Sequence, residues 1–173
     1  MANQTITLRP LCSADTDRLA EIANDKRIAD TLRDYFPHPY SKSDAEGYIS
    51  FVSEQDPRFN LGIFEGDVLV GICGGNALID VHRYTAEVGY WLGVDAWGRG
   101  IASKALALLV AHYFEHTSFV RLQAHVFSNN PASEQVLIKN GFVKEGVCRK
   151  YVYKNGAYLD APLYALLKEE WSS

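Results

Sequence analysis

The chain has 173 residues, the size of one ordinary domain, and 47% of them are hydrophobic, so a core can be buried. Its 17 basic and 21 acidic residues give a net charge of -4, which argues against nucleic-acid binding through bulk electrostatics. No apolar run reaches the roughly 18–20 residues of a membrane helix, residues 1–5 lack the basic-then-apolar order of a signal peptide, and three widely spaced cysteines are typical of reduced thiols in a cytoplasmic protein.

The elements of the first half are predicted from apolar spacing and turn residues. Ser43 and Glu46 have the spacing of a capping box at the start of a helix. Glu65-Gly66-Asp67 separates two runs of period two and predicts a hairpin. The predicted elements are a strand at 6–9, a helix at 15–23, an aromatic-rich loop at 32–40, a helix at 43–54, and strands at 60–64 and 68–79.

The second half alternates strands and helices. Asn130 and Pro131 are typical of a helix start, Gly141 is typical of a helix end, and Asn155-Gly156 is a strong hairpin signal. The predicted elements are strands at 85–94 and 122–126, a helix at 101–115 that is apolar on most of its circumference, a helix from 131, and strands at 142–153 and 158–167. This order predicts a single α/β (α+β) domain over 1–173, with a mixed sheet and helices on its faces.

A glycine turn lies between a predicted strand and a predicted helix, at Gly98 and Gly100. Glycine allows successive main-chain N–H groups to face one point. The helix that follows adds its unpaired N–H groups and its positive dipole end. Together with the charge of Arg99 and the hydroxyl of Ser103, these groups would form an anion cradle. Taken alone, the two glycines fit equally a tight strand-to-helix turn that binds nothing.

Trp97, Gly100 and Ala102 form one motif, and Asn130 and Ser133, followed later by Gly141 and Phe142, form a second. In this order the two resemble motifs of the GCN5-related N-acetyltransferases (GNAT), and within them of the RimJ/RimL-like branch. The pyrophosphate motif of that family, Q/R-x-x-G-x-G/A, is matched at Gly100 and Ala102, whereas Trp97 stands where Gln or Arg is usual. The stretches 87–92 and 154–160 are also typical of the branch, so the resemblance covers essentially the whole chain. The second motif, N-x-x-S followed later by G-F, is matched by Asn130, Ser133, Gly141 and Phe142.

The resemblance implies a GNAT fold, with a mostly antiparallel sheet of about seven strands that is splayed where acetyl-CoA binds. It also implies that main-chain groups hold the pyrophosphate, because Trp97 lacks the usual polar side chain. A main-chain N–H near Leu92 to Val94 would support the oxyanion of the thioester. The residues expected to contact acetyl-CoA are Leu92, Gly93, Val94, Trp97, Gly98, Arg99, Gly100, Ile101, Ala102, Ser103, Asn130 and Ser133.

The implied reaction is direct transfer of an acetyl group from acetyl-CoA to a primary amine in a ternary complex. An alkylamine has a pKa near ~10, so a base must remove its proton. Period-two counting puts Glu87 on one strand face with Gly89 and Trp91, and Glu87 is the predicted base; the alternative is a solvent-facing or salt-bridged glutamate. Ser133 is the candidate acid for the leaving thiolate, because Leu137 occupies the position where many relatives have tyrosine.

In relatives the loop at 32–40 lies over the acceptor site. We expect acceptor contacts from Tyr35, Phe36, His38, Glu87 and Trp91, with core packing as the alternative for the aromatic residues. RimJ/RimL-like proteins acetylate N-terminal amines of ribosomal proteins, and others in the branch modify amino acids, polyamines or drugs. A protein N-terminus is thus the first candidate acceptor and a small amine the second. A catalytically silent acyl-CoA-binding module is the alternative of another class, and a homodimer stays open.

Three further patterns suggest other chemistry, and each has a plainer interpretation. The run 112–116 spells H-x-x-E-H, but no third zinc ligand is evident, so no metal is expected. Cys73 lies in an apolar run without an evident His partner, which argues against an acyl-cysteine. The basic and aromatic residues at 149–154 fit a solvated hairpin edge better than a surface for RNA or an acidic substrate.

Overall fold

The computed structural model describes residues 5–56 and 59–172, so the signal-peptide expectation for residues 1–5 lies mostly outside the described residues. The strands are β1 Ile6–Arg9, β2 Asn60–Glu65, β3 Val68–Ala77, β4 Thr85–Leu92, β5 Arg121–His125, β6 Val143–Lys154 and β7 Ala157–Leu167. The α-helices are α1 Thr16–Ala23, α2 Lys26–Ala29, α3 Lys42–Ser53, α4 Ile101–His116 and α5 Pro131–Lys139. Short 3-10 turns lie at Ser13–Asp15, Asp80–His82, Val94–Ala96 and Lys168–Glu170.

The strands form one mixed sheet in the order β1-β2-β3-β4-β5-β7-β6. Every neighbouring pair is antiparallel except β4 and β5, which are parallel. Two cores hold the helices: Leu19 of α1 and Ile49 of α3 belong to one, and Leu106 of α4 and Leu137 of α5 belong to the other. The predicted α/β (α+β) class and the seven-stranded, mostly antiparallel sheet are confirmed.

Local signals place the start of α5 and the last hairpin correctly. The side chain of Asn130 accepts a hydrogen bond from the N–H of Ser133 at 3.3 Å, and Pro131 follows it at the first helical position. Asn155 and Gly156 have φ angles of 50° and 80°. Two successive residues in the left-handed region match the right-handed twist of the flanking strands, which is why Asn-Gly predicts such a turn.

The predicted capping box at Ser43 and Glu46 is wrong, because α3 begins two residues earlier. The hydroxyl of Ser41 accepts from the N–H of Asp44 at 3.2 Å, and the carboxylate of Asp44 accepts from the N–H of Ser41 at 2.7 Å. Aspartate at the third helical position closes this reciprocal pair as Glu does in the usual pattern. The capping-box pattern with Glu or Gln at the third helical position therefore did not find the start of α3 at Ser41.

The helix α4 is buried on one face, whereas the sequence predicted burial around most of its circumference. Lys104 and Leu108 are exposed on the opposite side, and Leu108 keeps 42% of its surface in contact with solvent. Apolar residues lie on most of the circumference of α4, but the sheet contacts only one side of the helix. The apolar residues on the other side are therefore left exposed. The buried residues of α4 are Ile101, Ala105, Leu106, Leu109, Val110, Tyr113 and Phe114.

The parallel strands β4 and β5 part before they end. Their pairs run from Thr85 with Arg121 to Glu87 with Gln123, while β4 continues to Leu92. The sheet is therefore splayed beyond Glu87, as the family resemblance implied. No helix among residues 5–56 and 59–172 is long and apolar enough to cross a membrane.

Candidate functional site

The glycine turn before α4 has the backbone that an anion cradle requires. Gly98 and Gly100 have φ angles of 71° and 75°, in the left-handed region where glycine is favoured. A Cβ added at either position would meet no atom within 4 Å, so the space beside both glycines is open. The first N–H groups of α4, at Ile101, Ala102 and Ser103, have no partner within the helix and carry its positive dipole end.

The side chains around this turn are mostly engaged in holding it. The indole N–H of Trp97 donates to the carbonyl of Leu92 at 2.9 Å, which ties the turn to the end of β4. The hydroxyl of Ser103 accepts from the amide of Asn140 at 3.1 Å, and its own hydrogen stays available to a ligand. The guanidinium of Arg99 forms an ion pair with Glu65. Main-chain N–H groups are therefore the main candidate donors for an anion at this turn.

A cavity of about 320 Å³ lies where β4 and β5 part, and residues from both faces of the sheet line it. We call its lining by Arg33, Glu87 and Trp91 the first mouth, and its lining by Asn130 and Ser133 the second mouth. The splay thus joins the two faces of the sheet, and two ligands that enter from opposite faces would meet at its centre. Such a cavity suits a reaction between two substrates.

Glu87 lies at the first mouth in a cluster that the sequence did not reveal. Its Oε1 accepts from Arg33 Nη2 at 2.9 Å and lies 3.4 Å from Nδ1 of His125. The Glu87 side chain is 22% exposed. Arg33 is 54 residues away in the chain and His125 is 38 residues away, so no local pattern links these three side chains.

Ser133 lies at the second mouth beside a tyrosine that the sequence analysis did not select. The hydroxyl of Tyr90 donates to the main-chain carbonyl of Ser133 at 3.0 Å, and its oxygen is also 3.0 Å from Ser133 Oγ. Burial raises the pKa of Tyr90 to about 12, so the phenol stays protonated at neutral pH. Alternation along β4 was the available signal, since it puts Tyr90 on the face opposite Glu87.

One of the three main-chain N–H groups considered for the oxyanion is engaged within the sheet. The N–H of Gly93 donates to the carbonyl of Val70 at 2.9 Å, so Leu92 and Val94 remain the candidate donors. N–H directions alternate along a strand. The N–H groups of Tyr90 and Leu92 therefore face the side from which β5 has departed.

The aromatic loop contributes two of its three predicted residues to the cavity. Tyr35 and Phe36 line it, and the ring of Phe36 packs edge-on against Trp91 with centroids 5.5 Å apart. His38 is exposed and lies outside the lining of this cavity, so its contact with the acceptor stays a prediction. The chain turns away from the cavity after Phe36, because Tyr40 is buried in the core with α1 and α3.

The remaining patterns do not add reactive groups to this site. The rings of His112 and His116 pack against each other at 5.2 Å, and the described part of the chain contains no group of three or more side chains suited to a metal ion. Burial raises the pKa of the Cys73 thiol strongly, which disfavours a nucleophilic thiolate. In the run 149–154, Lys154 is buried and paired with Asp34 at 2.8 Å, whereas Tyr151 is exposed.

Known proteins are similar to this chain in fold and in sequence. The family model described as acetyltransferase (GNAT) domain matches residues 5–143. An uncharacterised N-acetyltransferase of Bacillus licheniformis, p20, is 31% identical over 98% of this chain and 96% of its own length. The ribosomal-protein-serine acetyltransferase of Escherichia coli is 39% identical over 60% of this chain and 57% of its own length. The structure of RimL, a ribosomal L7/L12 alpha-N-protein acetyltransferase in complex with coenzyme A, superposes with a TM-score of 0.84 at 25% identity and covers 94% of each chain. The chain belongs to the GNAT family of N-acetyltransferases.

Proposed function

We propose that the protein transfers an acetyl group from acetyl-CoA to the N-terminal amine of a protein, with ribosomal proteins as the first acceptors to test. The observation that carries this proposal is the cavity at the splay of the sheet, with the Glu87 cluster at one mouth and Ser133 at the other. The similarity to a ribosomal-protein-serine acetyltransferase and to RimL supports the acceptor class. A ribosomal acceptor would also place the protein in the cytoplasm.

The residues of the second mouth fit acetyl-CoA, which supplies an acetyl group activated as a thioester. The turn at Gly98 and Gly100 and the first N–H groups of α4 would hold the pyrophosphate. The N–H groups of Tyr90 and Leu92 on the splayed side would bond the extended arm of the cofactor and the thioester oxygen. Arg99 contributes little in this assignment, because Glu65 already holds its guanidinium.

The charges around the first mouth favour a single amine over a polyamine. Among the described residues that line the cavity, Glu87 is the only carboxylate, and Arg33 adds a positive charge beside it. A polyamine carries several positive charges and would need several carboxylates. A protein N-terminus has one ammonium group, with an ordinary pKa of about 7.7–8.0, so it is also the easier amine to deprotonate.

Ser133 is proposed to donate a proton to the leaving sulfur, with Tyr90 holding it in place. We expect Ser133→Ala to lower kcat by less than about tenfold, because a thiol with an ordinary pKa of about 8.5 leaves readily as thiolate. Steady-state rates of free-thiol release would measure this, with Ser50→Ala on the exposed side of α3 as the matched control. A loss above about a hundredfold would contradict the view that the sulfur needs little help.

A screen of acceptors with acetyl-CoA tests the proposed function. The panel holds peptides that begin with Ala, Ser or Met, their N-terminally blocked forms, polyamines and free amino acids, and free thiol is the readout. We expect the free peptides to be acetylated and the blocked peptides to be inert, with mass spectrometry placing the acetyl group on the α-amine. Faster turnover of a polyamine or an amino acid than of every peptide would replace the proposed acceptor. Binding of acetyl-CoA without turnover of any amine would favour the catalytically silent module.

A further inference from the structure

The cluster at the first mouth contains two groups able to accept a proton, and they are not equally placed. Glu87 Oε1 is engaged by the guanidinium of Arg33 at 2.9 Å. A proton on Glu87 would neutralise the carboxylate and remove a charge-assisted hydrogen bond. Unless Arg33 moves, deprotonation of the acceptor by Glu87 therefore disrupts the cluster that holds Glu87 in position.

His125 is placed at the opening itself. It lies two residues beyond Gln123, the last β5 residue that pairs with β4, and therefore on the same sheet face as Glu87. Its ring stacks on Tyr151 with centroids 5.1 Å apart and an angle of 25° between the planes. Its side chain is 16% exposed and lines the cavity. The ring is thus held by a stacked neighbour at the wall of the cavity.

The contact with Glu87 favours one placement of the hydrogen on the ring of His125. Nδ1 of His125 lies 3.4 Å from Glu87 Oε1, so the carboxylate favours a hydrogen on Nδ1. Nε2 is then the nitrogen with a lone pair. A carboxylate that orients an imidazole in this way is the arrangement by which many enzymes make histidine a base.

We propose that His125 is the general base of the reaction and that Glu87 is the carboxylate that orients it. This inference rests on the proposed function. Nε2 takes one proton from the acceptor ammonium, and the nitrogen lone pair forms the C–N bond to the acetyl carbonyl. The C–S bond breaks with its electron pair on sulfur, a second N–H proton ends on sulfur as thiol, and the proton on His125 is released to solvent. Imidazole is well matched to an N-terminal amine, because both ordinarily titrate near neutral pH.

Two neighbouring elements supply the groups that contact His125: Glu87 on β4 and Tyr151 on β6. Arg33, on the segment after α2, contacts Glu87. Protonation of His125 during turnover would place a positive charge beside Glu87, which the carboxylate stabilises. Glu87 in this role contributes to the rate without receiving the proton itself.

The test is His125→Ala, measured with an acceptor peptide that the wild type acetylates. We expect kcat to fall by about 10²–10⁴-fold, the KM for acetyl-CoA to change little, and added imidazole to restore part of the lost rate. The matched control is His82→Ala, an exposed histidine in the turn Asp80–His82, whose rate should match the wild type with and without imidazole. An active wild type establishes the proposed function separately, whatever the variants do.

A double-mutant cycle distinguishes a Glu87 that acts through His125 from a Glu87 that acts independently of it. If Glu87 acts through His125, the double variant with both His125→Gln and Glu87→Gln should have a kcat no lower than that of the slower single variant. The Gln variant of His125 keeps an amide N–H for Glu87, so it also serves if the Ala variant loses acetyl-CoA binding. The proposal is overturned if His125→Ala keeps more than half of the wild-type kcat. It is equally overturned if imidazole restores no rate to His125→Ala and the fold-losses in kcat of the two single variants multiply in the double variant.

Discussion

Replacing Glu87 by Gln is expected to lower kcat by about 10²–10⁴-fold and to leave acetyl-CoA affinity nearly unchanged. The amide has almost the same shape but cannot take a proton and carries no charge to stabilise a protonated His125. Glu87 lines the cavity, and the residues of the proposed phosphate cradle at 97–103 are outside its lining, so cofactor binding should survive. Initial rates of thiol release and calorimetric titration with acetyl-CoA would measure the two quantities separately.

The control for this variant is Glu115→Gln, which removes an exposed carboxylate at the end of α4. It should leave both quantities at their wild-type values. An unchanged kcat in Glu87→Gln would show that Glu87 is neither the base nor the group that orients it. A parallel loss of acetyl-CoA affinity would instead assign Glu87 to the shape of the cavity, which is the salt-bridged alternative weighed from the sequence.

Gly100→Asp is expected to weaken acetyl-CoA binding by about 30- to 700-fold. A carboxylate placed a few ångströms from a phosphate costs about 2–4 kcal/mol near a protein surface. A Cβ at Gly100 would meet no atom within 4 Å, so the new carboxylate would fit beside the proposed cradle without a clash. Calorimetry with acetyl-CoA gives the affinity, and a thermal melt without ligand shows whether the fold is retained.

Two control variants separate charge from backbone strain. Gly100→Asn has nearly the same shape without the charge, and Asn tolerates the left-handed backbone at φ 75° better than most residues. It should lose far less affinity than the Asp variant. Arg99→Ala should lose at most about fivefold, because Arg99 is partly exposed and paired with Glu65. Equal or reversed losses for Gly100→Asp and Arg99→Ala would overturn the view that main-chain groups hold the phosphates.

Local chemistry let the sequence determine most elements of the fold. Asn130 with Pro131, and Asn155 with Gly156, act through hydrogen bonds and φ angles within a few residues, so their effect can be read without the fold. The strand-to-helix glycines likewise indicated the cradle. Local patterns gave a wrong prediction in two places. The start of α3 was missed because the capping partner of Ser41 is Asp44 and not Glu or Gln. The burial of Leu108 was overestimated because none of the described elements covers that side of α4.

Only the tertiary structure brought the site together. Alternation along β4 predicted the face of Glu87, but the contacts with Arg33 and His125 depend on the parallel pairing of β4 with β5 and on the path of the loop after α2. The splay arises where that pairing ends, a long-range property that no run of neighbouring residues encodes. Chain folding likewise engaged Arg99 with Glu65 and turned His38 outward. The sequence by itself thus predicted the cradle and Glu87 as a candidate base, while the tertiary structure decided which side chains surround that carboxylate.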